Sequence, residues 1–218
     1  MNETGQAEAP DALLLMATGC PHCPTVLKGL RELANSGLIG KLETVNISEQ
    51  PEVAQQYGVR TVPWLRLGPF ELDGLRTPGE LRQWAERARS PEGMDEYFRE
   101  LLVAGQLHKV ISIVRQETGH FDSLIRLLSD PGTALQVHLG ISAIIEDFAG
   151  SESLQKLVPR FGELSRSENP RIRTDAAHFL ALTGSADAIP LLQRLVDDPD
   201  AQVREIAEES LARLQPEK

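Results

Sequence analysis

The sequence has little cysteine, few aromatic residues, a shortage of positive charge and no long hydrophobic run. Its two cysteines, Cys20 and Cys23, are too few for a scaffold held together by disulfides. The formal net charge of −10 argues against a polyanion as a partner, so no binding of nucleic acid is expected. A membrane-spanning helix needs about 20 apolar residues in succession. Since no run approaches that length, no membrane partner is expected.

The beginning of the chain bears on the expected compartment. The stretch MNETGQAEAPDALLLM has no basic residue ahead of a short apolar run, Ala12–Ala17, and does not read as a secretory signal. In a reducing cytosol a close cysteine pair is more often catalytic or metal-binding than structural. We therefore expect a cytoplasmic protein, or a periplasmic one if a signal has been removed.

The balance of charged residues and the pattern of apolar residues both change near Ser90. The chain has 9 basic and 11 acidic residues up to that position, and 13 and 21 beyond it. Strand-like segments stop near Thr77, and the sequence after Ser90 has a helical pattern throughout. These shifts predict a domain boundary at Ser90-Pro91, with an α/β domain at 1–90 and an all-α domain at 91–218.

The first ninety residues predict the element order β-α-β-α-β-β-α. The expected elements are a strand at Ala12–Ala17, a helix from the cysteine pair to about Ser36, a strand at Leu42–Ile47, a helix from Pro51 to Tyr57, a hairpin of Thr61–Leu67 and Phe70–Leu72, and a helix from Pro78 to Ala88. A capping box, Thr77-Pro78-Gly79-Glu80, marks the start of the last helix.

The cysteine pair lies in the predicted connection between the first strand and the first helix. A helix N-terminus stabilises an anion, and a thiolate is the reactive form of cysteine. With Pro21 in the first turn, Cys20 is expected at the N-cap edge with a lowered pKa, and Cys23 one turn further in. His22 would favour the thiolate further and make the pair more oxidising. The roles follow: Cys20 attacks a foreign disulfide, and Cys23 resolves the mixed disulfide.

Two other uses of a C-x-x-C pair stay open at this point. A metal site would need two more ligands, but the remaining histidines are scattered without an H-x₃₋₅-H pair. A disulfide with a purely structural role would close so short a loop that it would add little to the stability of the fold. Neither a metal nor another cofactor is expected.

A second segment, NISEQPEVAQQYGVRTVPWLRLG at residues 46–68, adds context to Cys20-Pro21-His22-Cys23. Together the two closely resemble the thioredoxin superfamily over about residues 10–90, and the C-P-H-C choice resembles the DsbA-type oxidants. The resemblance implies a thioredoxin-like fold of minimal, glutaredoxin-like size and a cis peptide bond before Pro63. It further implies that the loop of Thr61, Val62 and Pro63 binds an extended substrate.

Some positions depart from the thioredoxin pattern. Leu14 stands where thioredoxin and DsbA have an acidic residue, and Thr44 stands where thioredoxin has a lysine. The proton acceptor for the resolving thiol is therefore missing or supplied elsewhere. Trp64 is open to two interpretations, an apolar contact at the rim of the site or a half-buried strand aromatic.

The last 128 residues contain a weak repeat. Segments beginning at Val137, Ile172 and Val203 align with offsets of 35 and 31 residues. Each follows a dipeptide typical of a helix start: Asp130-Pro131, Asn169-Pro170 or Asp198-Pro199. The pattern predicts paired helices stacked in a solenoid. The region resembles HEAT repeats clearly at 130–214 and poorly at 91–128, which implies a surface for binding a protein partner.

These features support three functional hypotheses. The first is a thiol–disulfide oxidoreductase that acts on protein thiols or disulfides, with a solenoid that selects the client. The second is an interaction scaffold in which the cysteine pair is incidental. The third is a redox sensor whose disulfide changes how the solenoid binds its partner.

Overall fold

The computed structural model describes residues 9–215. The chain divides into two compact units, Met1–Tyr97 and Phe98–Lys218. The division falls within the helix Gly93–Val103, and the domain boundary at Ser90-Pro91 stays a prediction.

The first unit has the predicted order of strands and helices. Its elements are β1 (Ala12–Met16), α1 (Cys23–Asn35), β2 (Leu42–Asn46), α2 (Pro51–Gln56), β3 (Trp64–Leu67), β4 (Phe70–Asp73) and α3 (Pro78–Arg87). The predicted capping box is confirmed at the start of α3, where the Thr77 side chain accepts from the Glu80 N–H and the Glu80 carboxylate accepts from the Thr77 N–H. The fold is the predicted thioredoxin-like α/β arrangement.

The strands form one mixed sheet in the order β2-β1-β3-β4. β1 runs parallel to β2 and antiparallel to β3, and β3 and β4 form the predicted hairpin. Because β1 has a neighbour on each side and helices nearby, it is apolar along its whole length. Leu15 pairs with both Val45 and Trp64, so the loop after β1 and the segment before β3 lie at the same end of the sheet.

Apolar side chains cover both faces of this sheet. On one face Leu13, Leu15, Val45 and Trp64 form a buried cluster, against which Val53 of α2 packs. Alternation along the strand directs Leu14 to the opposite face, where it is fully buried. On the helical side α1 contacts β1, β2 and α3.

The contact between α1 and α3 depends on a glycine. A Cβ placed on Gly29 would lie 2.7 Å from Cδ1 of Leu81, which is fully buried and has little room to move. We expect Gly29→Ala to lower the free energy of unfolding by about 1 kcal/mol, since overpacking costs about 1–3 kcal/mol and helix propensity returns about 1. Urea denaturation measures this change. Gly79→Ala in α3 is the control, because its Cβ would meet no atom within 4 Å; equal effects of both changes would contradict the tight contact.

An aromatic group closes the core of this unit. Phe70, Trp84 and Tyr97 contact one another with ring centroids 4.9–5.8 Å apart. The Tyr97 hydroxyl donates to the Glu71 carbonyl at 3.0 Å. These contacts explain why the first compact unit extends to Tyr97.

Helices make up the rest of the described chain. They are α4 (Gly93–Val103), α5 (Leu107–Gln116), α6 (Phe121–Ser129), α7 (Leu135–Asp147), α8 (Glu152–Gln155), α9 (Val158–Leu164), α10 (Pro170–Leu182), α11 (Ile189–Leu195) and α12 (Ala201–Leu214), with short 3₁₀ turns at Thr118–His120 and Ala186–Ala188. Within residues 9–215, none of the helices combines the length and the apolar character that crossing a membrane requires.

Only one of the predicted helix starts in this region is confirmed. The Asn169 side chain caps α10, and Pro170 is its first residue. The start at Asp130-Pro131 was wrong, because Asp130 accepts from the N–H of Gly132 in a turn and α7 begins later, at Leu135. The start at Asp198-Pro199 was also wrong. Asp200 caps α12, while the Asp198 carboxylate binds Arg173 instead.

Arg173 joins two successive repeats of the second unit. Its Nε and Nη2 donate to the two carboxylate oxygens of Asp198, each at 2.8 Å. Its Nη1 donates to the carbonyls of Ser167 and Glu168 at 2.8 and 3.1 Å. The hydrogen bonds from Arg173 lower the pKa of the Asp198 carboxyl below its ordinary value. This bidentate pair therefore fixes the loop before α12 against the first turn of α10.

The histidines of this unit have different surroundings. His108 and His178 lie on α5 and α10, and His178 Nε2 is 3.3 Å from a Glu146 carboxylate oxygen. His120 ends the first 3₁₀ turn. His138 of α7 is buried, and burial lowers its pKa. Among residues 9–215 the structure holds no cluster of three or more metal-ligating side chains.

Candidate redox site

The two cysteines lie in the connection from β1 to α1 and form a disulfide, with their Cα atoms 5.6 Å apart. Cys23 is buried, with 2% of its surface exposed, whereas Cys20 is only partly covered. The roles of the two thiols as nucleophile and resolving thiol stay a prediction. An incoming disulfide can reach Cys20 more easily than Cys23.

The predicted helix start needs a correction. α1 begins at Cys23 with His22 as its N-cap residue, so Cys20 and Pro21 both precede the helix. The proline in the first turn is Pro24, whose missing N–H is not needed there. The Cys20 Sγ nevertheless accepts a hydrogen bond from the Cys23 N–H at 3.2 Å. The sulfur thus occupies the place of a capping side chain, and the helix terminus still acts on it.

The two residues between the cysteines are exposed. Pro21 and His22 face solvent, and the His22 side chain makes no capping hydrogen bond. Their tuning of the redox pair stays a prediction.

The peptide bond between Val62 and Pro63 is cis, as predicted. Pro63 directly precedes β3, whose first residue pairs with Leu15 near the end of β1. This register places the Pro63 loop at the same end of the sheet as the connection that carries the cysteines. Thr61 is exposed, Val62 is partly covered and Pro63 is buried. The binding of a substrate by these three residues stays a prediction.

Trp64 belongs to the core. It is 3% exposed, packs in the cluster with Leu13 and Leu15, and its ring centroid lies 5.4 Å from that of Tyr57. The interpretation of Trp64 as a rim contact for a peptide was therefore wrong. The strand register explains this outcome, because a residue opposite Leu15 shares its buried face.

Sequence reasoning missed a set of polar residues beside the site. Thr18, two positions before Cys20, binds Asn46 and Ser48 at the end of β2. The order of the elements was the one available signal for these contacts. β1 and β2 are adjacent parallel strands, so the residues that follow them lie side by side at the same end of the sheet.

The second unit exposes large apolar side chains. Leu135 and Leu139, one turn apart on α7, are 59% and 62% exposed, and Val103 at the end of α4 is 55% exposed. The Gln136 side chain donates to the Val103 carbonyl at 3.2 Å, which holds the two helices together here. We call Val103, Leu135 and Leu139 the apolar patch.

Comparison with known proteins gives matches for both parts of the chain. A family model described as a thioredoxin domain matches residues 12–86, and one described as HEAT repeats matches residues 121–212. Thioredoxin of Methanocaldococcus jannaschii is 35% identical over 60 residues, which cover 27% of this chain and 71% of that protein.

The second relative matches by a smaller share of its length. Importin subunit beta-2 of Schizosaccharomyces pombe is 36% identical over 80 residues, which cover 36% of this chain. The chain spans 8% of the importin. Taken with the sheet, the cysteine pair and the paired helices, these matches show that the chain belongs to the thioredoxin family through its N-terminal part, which HEAT repeats follow.

Proposed function

We propose that the protein is a thiol–disulfide oxidoreductase in which Cys20 is the nucleophile and Cys23 the resolving thiol. The observation that carries this proposal is the hydrogen bond from the Cys23 N–H to the Cys20 Sγ. A donor at a helix terminus stabilises a thiolate at Cys20 more than a neutral thiol, and so activates it. The partial exposure of Cys20 and the burial of Cys23 support the same assignment.

The exchange has two balanced steps. The Cys20 thiolate attacks one sulfur of a client disulfide, forms a Cys20–client bond and releases the other client sulfur as a thiolate, which takes up a proton. Cys23 then loses its proton and attacks the Cys20 sulfur. The Cys20–Cys23 disulfide forms, and the second client thiolate leaves. Two electrons pass to the client; the reverse sequence oxidises a client dithiol.

The remaining site residues have supporting roles in this proposal. Pro21 and His22 tune the redox pair, with His22 favouring the Cys20 thiolate. The main chain of Thr61, Val62 and Pro63 binds the client in extended form, as an added strand. The redox domain comprises residues 1–90 and the binding domain residues 91–218. The protein acts in the cytoplasm, with the periplasm as the alternative.

We further propose that the HEAT repeats bind the protein client or partner. The apolar patch supports this assignment, because clustered exposed apolar side chains are typical of interaction surfaces. Arrays of helix pairs provide extended surfaces of this kind.

The proposal is tested by insulin reduction in the presence of dithiothreitol and by oxidation of a reduced dithiol peptide, each with a Cys20→Ser control. We expect the wild type to exceed the control in at least one assay, because only the wild type can form the mixed disulfide. Activity equal to the control in both assays would leave the scaffold hypothesis. The redox sensor instead predicts that oxidised and reduced protein bind a partner with different affinities.

A further inference from the structure

Leu75 lies in the connection between β4 and α3, at the end of the sheet that carries the cysteines. Among residues 9–97 it is the one large apolar side chain that is exposed, with 46% of its surface open to solvent. β3 runs antiparallel to β1, and β4 runs antiparallel to β3. The connection that follows β4 therefore lies at the same end of the sheet as the connection that follows β1, where Cys20 and Cys23 form the disulfide.

A hydrogen bond holds this connection against the loop of Pro63. Asp73, the last residue of β4, pairs with Trp64 at the start of β3. One residue further on, the Gly74 N–H donates to the Pro63 carbonyl at 2.9 Å. Gly74 has a φ of +80°, which a residue with a side chain would adopt only at a cost. Leu75 therefore directly follows a residue that contacts the proposed client-binding loop.

The same hydrogen bond affects which main-chain groups a client can use. Pro63 has no N–H, and its carbonyl already accepts from Gly74. The main-chain groups best placed to pair with a client strand are therefore those of Thr61 and Val62. Val62 is a half-buried apolar residue, so together with Leu75 it gives this end of the sheet an apolar surface.

We propose that Leu75 is a specificity-determining residue that binds an apolar side chain of the client close to the client's cysteine. A client sulfur has to approach Cys20, so the residues on either side of that sulfur cover this end of the sheet. The exposed leucine then leaves water on binding, which favours an apolar neighbour over a polar one. The preferred substrates are polypeptides with large apolar residues beside their disulfide, rather than small hydrophilic disulfides such as glutathione disulfide.

This inference rests on the proposed thiol–disulfide exchange and names its substrate class. Leu75 contacts the client and neither reacting sulfur, so the bonds that form and break are those of the two steps given above. Burial of a leucine that is already about half covered corresponds to about a three- to tenfold gain in kcat/KM for an apolar client.

The test uses two short peptides that differ only in the residues beside their two cysteines, leucine in one and serine in the other. The second-order rate constant is measured for the reduced protein with each disulfide peptide and for the oxidised protein with each dithiol peptide. We expect the wild type to react about three- to tenfold faster with the leucine peptide. Leu75→Asn, which keeps the size but is polar, should lose this preference, whereas Leu75→Met should keep it.

Glutathione and a second leucine supply the controls. The rate with glutathione, as disulfide or thiol, should be unchanged in Leu75→Asn, because a small hydrophilic molecule gains nothing from an apolar contact. Leu42 is half-buried at the start of β2, at the opposite end of the sheet. Leu42→Asn should therefore keep the preference for the leucine peptide. A general loss of structure in Leu75→Asn would instead lower the rates with both peptides and with glutathione.

Either of two results would overturn the inference: a wild type that reacts equally fast with the two peptides, or an undiminished preference in Leu75→Asn. Failure of the proposed function looks different. The wild type would then react with neither the peptides nor glutathione faster than the Cys20→Ser control.

Discussion

Replacing Cys23 with serine is expected to stop turnover at the mixed disulfide between Cys20 and the client. Cys20 would still attack a client disulfide, but no second thiol would stand next to the mixed disulfide to release the client. Turnover should fall by about 100-fold or more, because a millimolar external thiol cannot match the effective concentration of a neighbouring group. The product should be a covalent complex that migrates as a new band on a non-reducing gel and disappears with dithiothreitol.

The composition of the chain makes this experiment easy to interpret. Cys20 and Cys23 are its only cysteines, so any disulfide-linked complex of Cys23→Ser must pass through Cys20. Cys20→Ser is the matched control and should give no complex, because it keeps only the buried thiol. If Cys20→Ser trapped clients as efficiently as Cys23→Ser, the assignment of nucleophile and resolving thiol would be wrong.

The second large effect concerns stability rather than chemistry. Arg173→Met should lower the free energy of unfolding by about 3 kcal/mol, because it leaves the largely buried Asp198 carboxylate with a hydrogen bond from the Asp200 N–H but without its bidentate partner. Both side chains are largely buried, with 13% and 7% of their surface exposed. Urea denaturation followed by circular dichroism measures the loss.

A surface ion pair of the same unit supplies the control. Arg115 and Asp147 also join two helices, with Nη2 2.6 Å from the carboxylate oxygen, but Arg115 is 60% exposed. Arg115→Met should therefore cost less than about 1 kcal/mol. Equal losses for the two arginine variants would show that burial of the Arg173 pair does not determine its contribution.

The same pair predicts an acid-sensitive stability. Hydrogen bonds from Arg173 lower the pKa of the Asp198 carboxyl, so the folded protein holds this group charged at pH values where the unfolded chain begins to protonate it. The contribution is complete above the ordinary carboxyl pKa of about 4 and is lost as the pH falls through the lowered folded value. Asp198→Asn should remove this part of the acid dependence, which urea midpoints measured from pH 7 down to pH 3 would reveal.

Local signals in the sequence predicted much of the fold. The Thr77 capping box and the turn at Gly68-Pro69 each depend on residues close together in the chain, and the structure has both. The thioredoxin-like element order followed from such signals. The cis peptide bond before Pro63 was implied by the resemblance to thioredoxins, and the structure has it.

Contacts between distant residues account for what the sequence did not reveal. Asp198 has the pattern of a helix cap, but Arg173, 25 residues earlier, binds its carboxylate instead. Thr18 and Asn46 are 28 residues apart, and exposed polar residues carry no periodic pattern that would pair them. The helix start at Cys23 was missed for a local reason, because a cysteine sulfur three residues away took the place of the usual capping oxygen.

The position of Tyr97 has a practical consequence. A fragment cut at Ser90 would keep every strand and both cysteines, yet it would lose the phenol ring that packs on Phe70 and Trp84. Two large aromatic rings would then face water, and the hydrogen bond from the Tyr97 hydroxyl to the Glu71 carbonyl would be lost. Anyone isolating the redox half for biochemistry should therefore extend it past Tyr97.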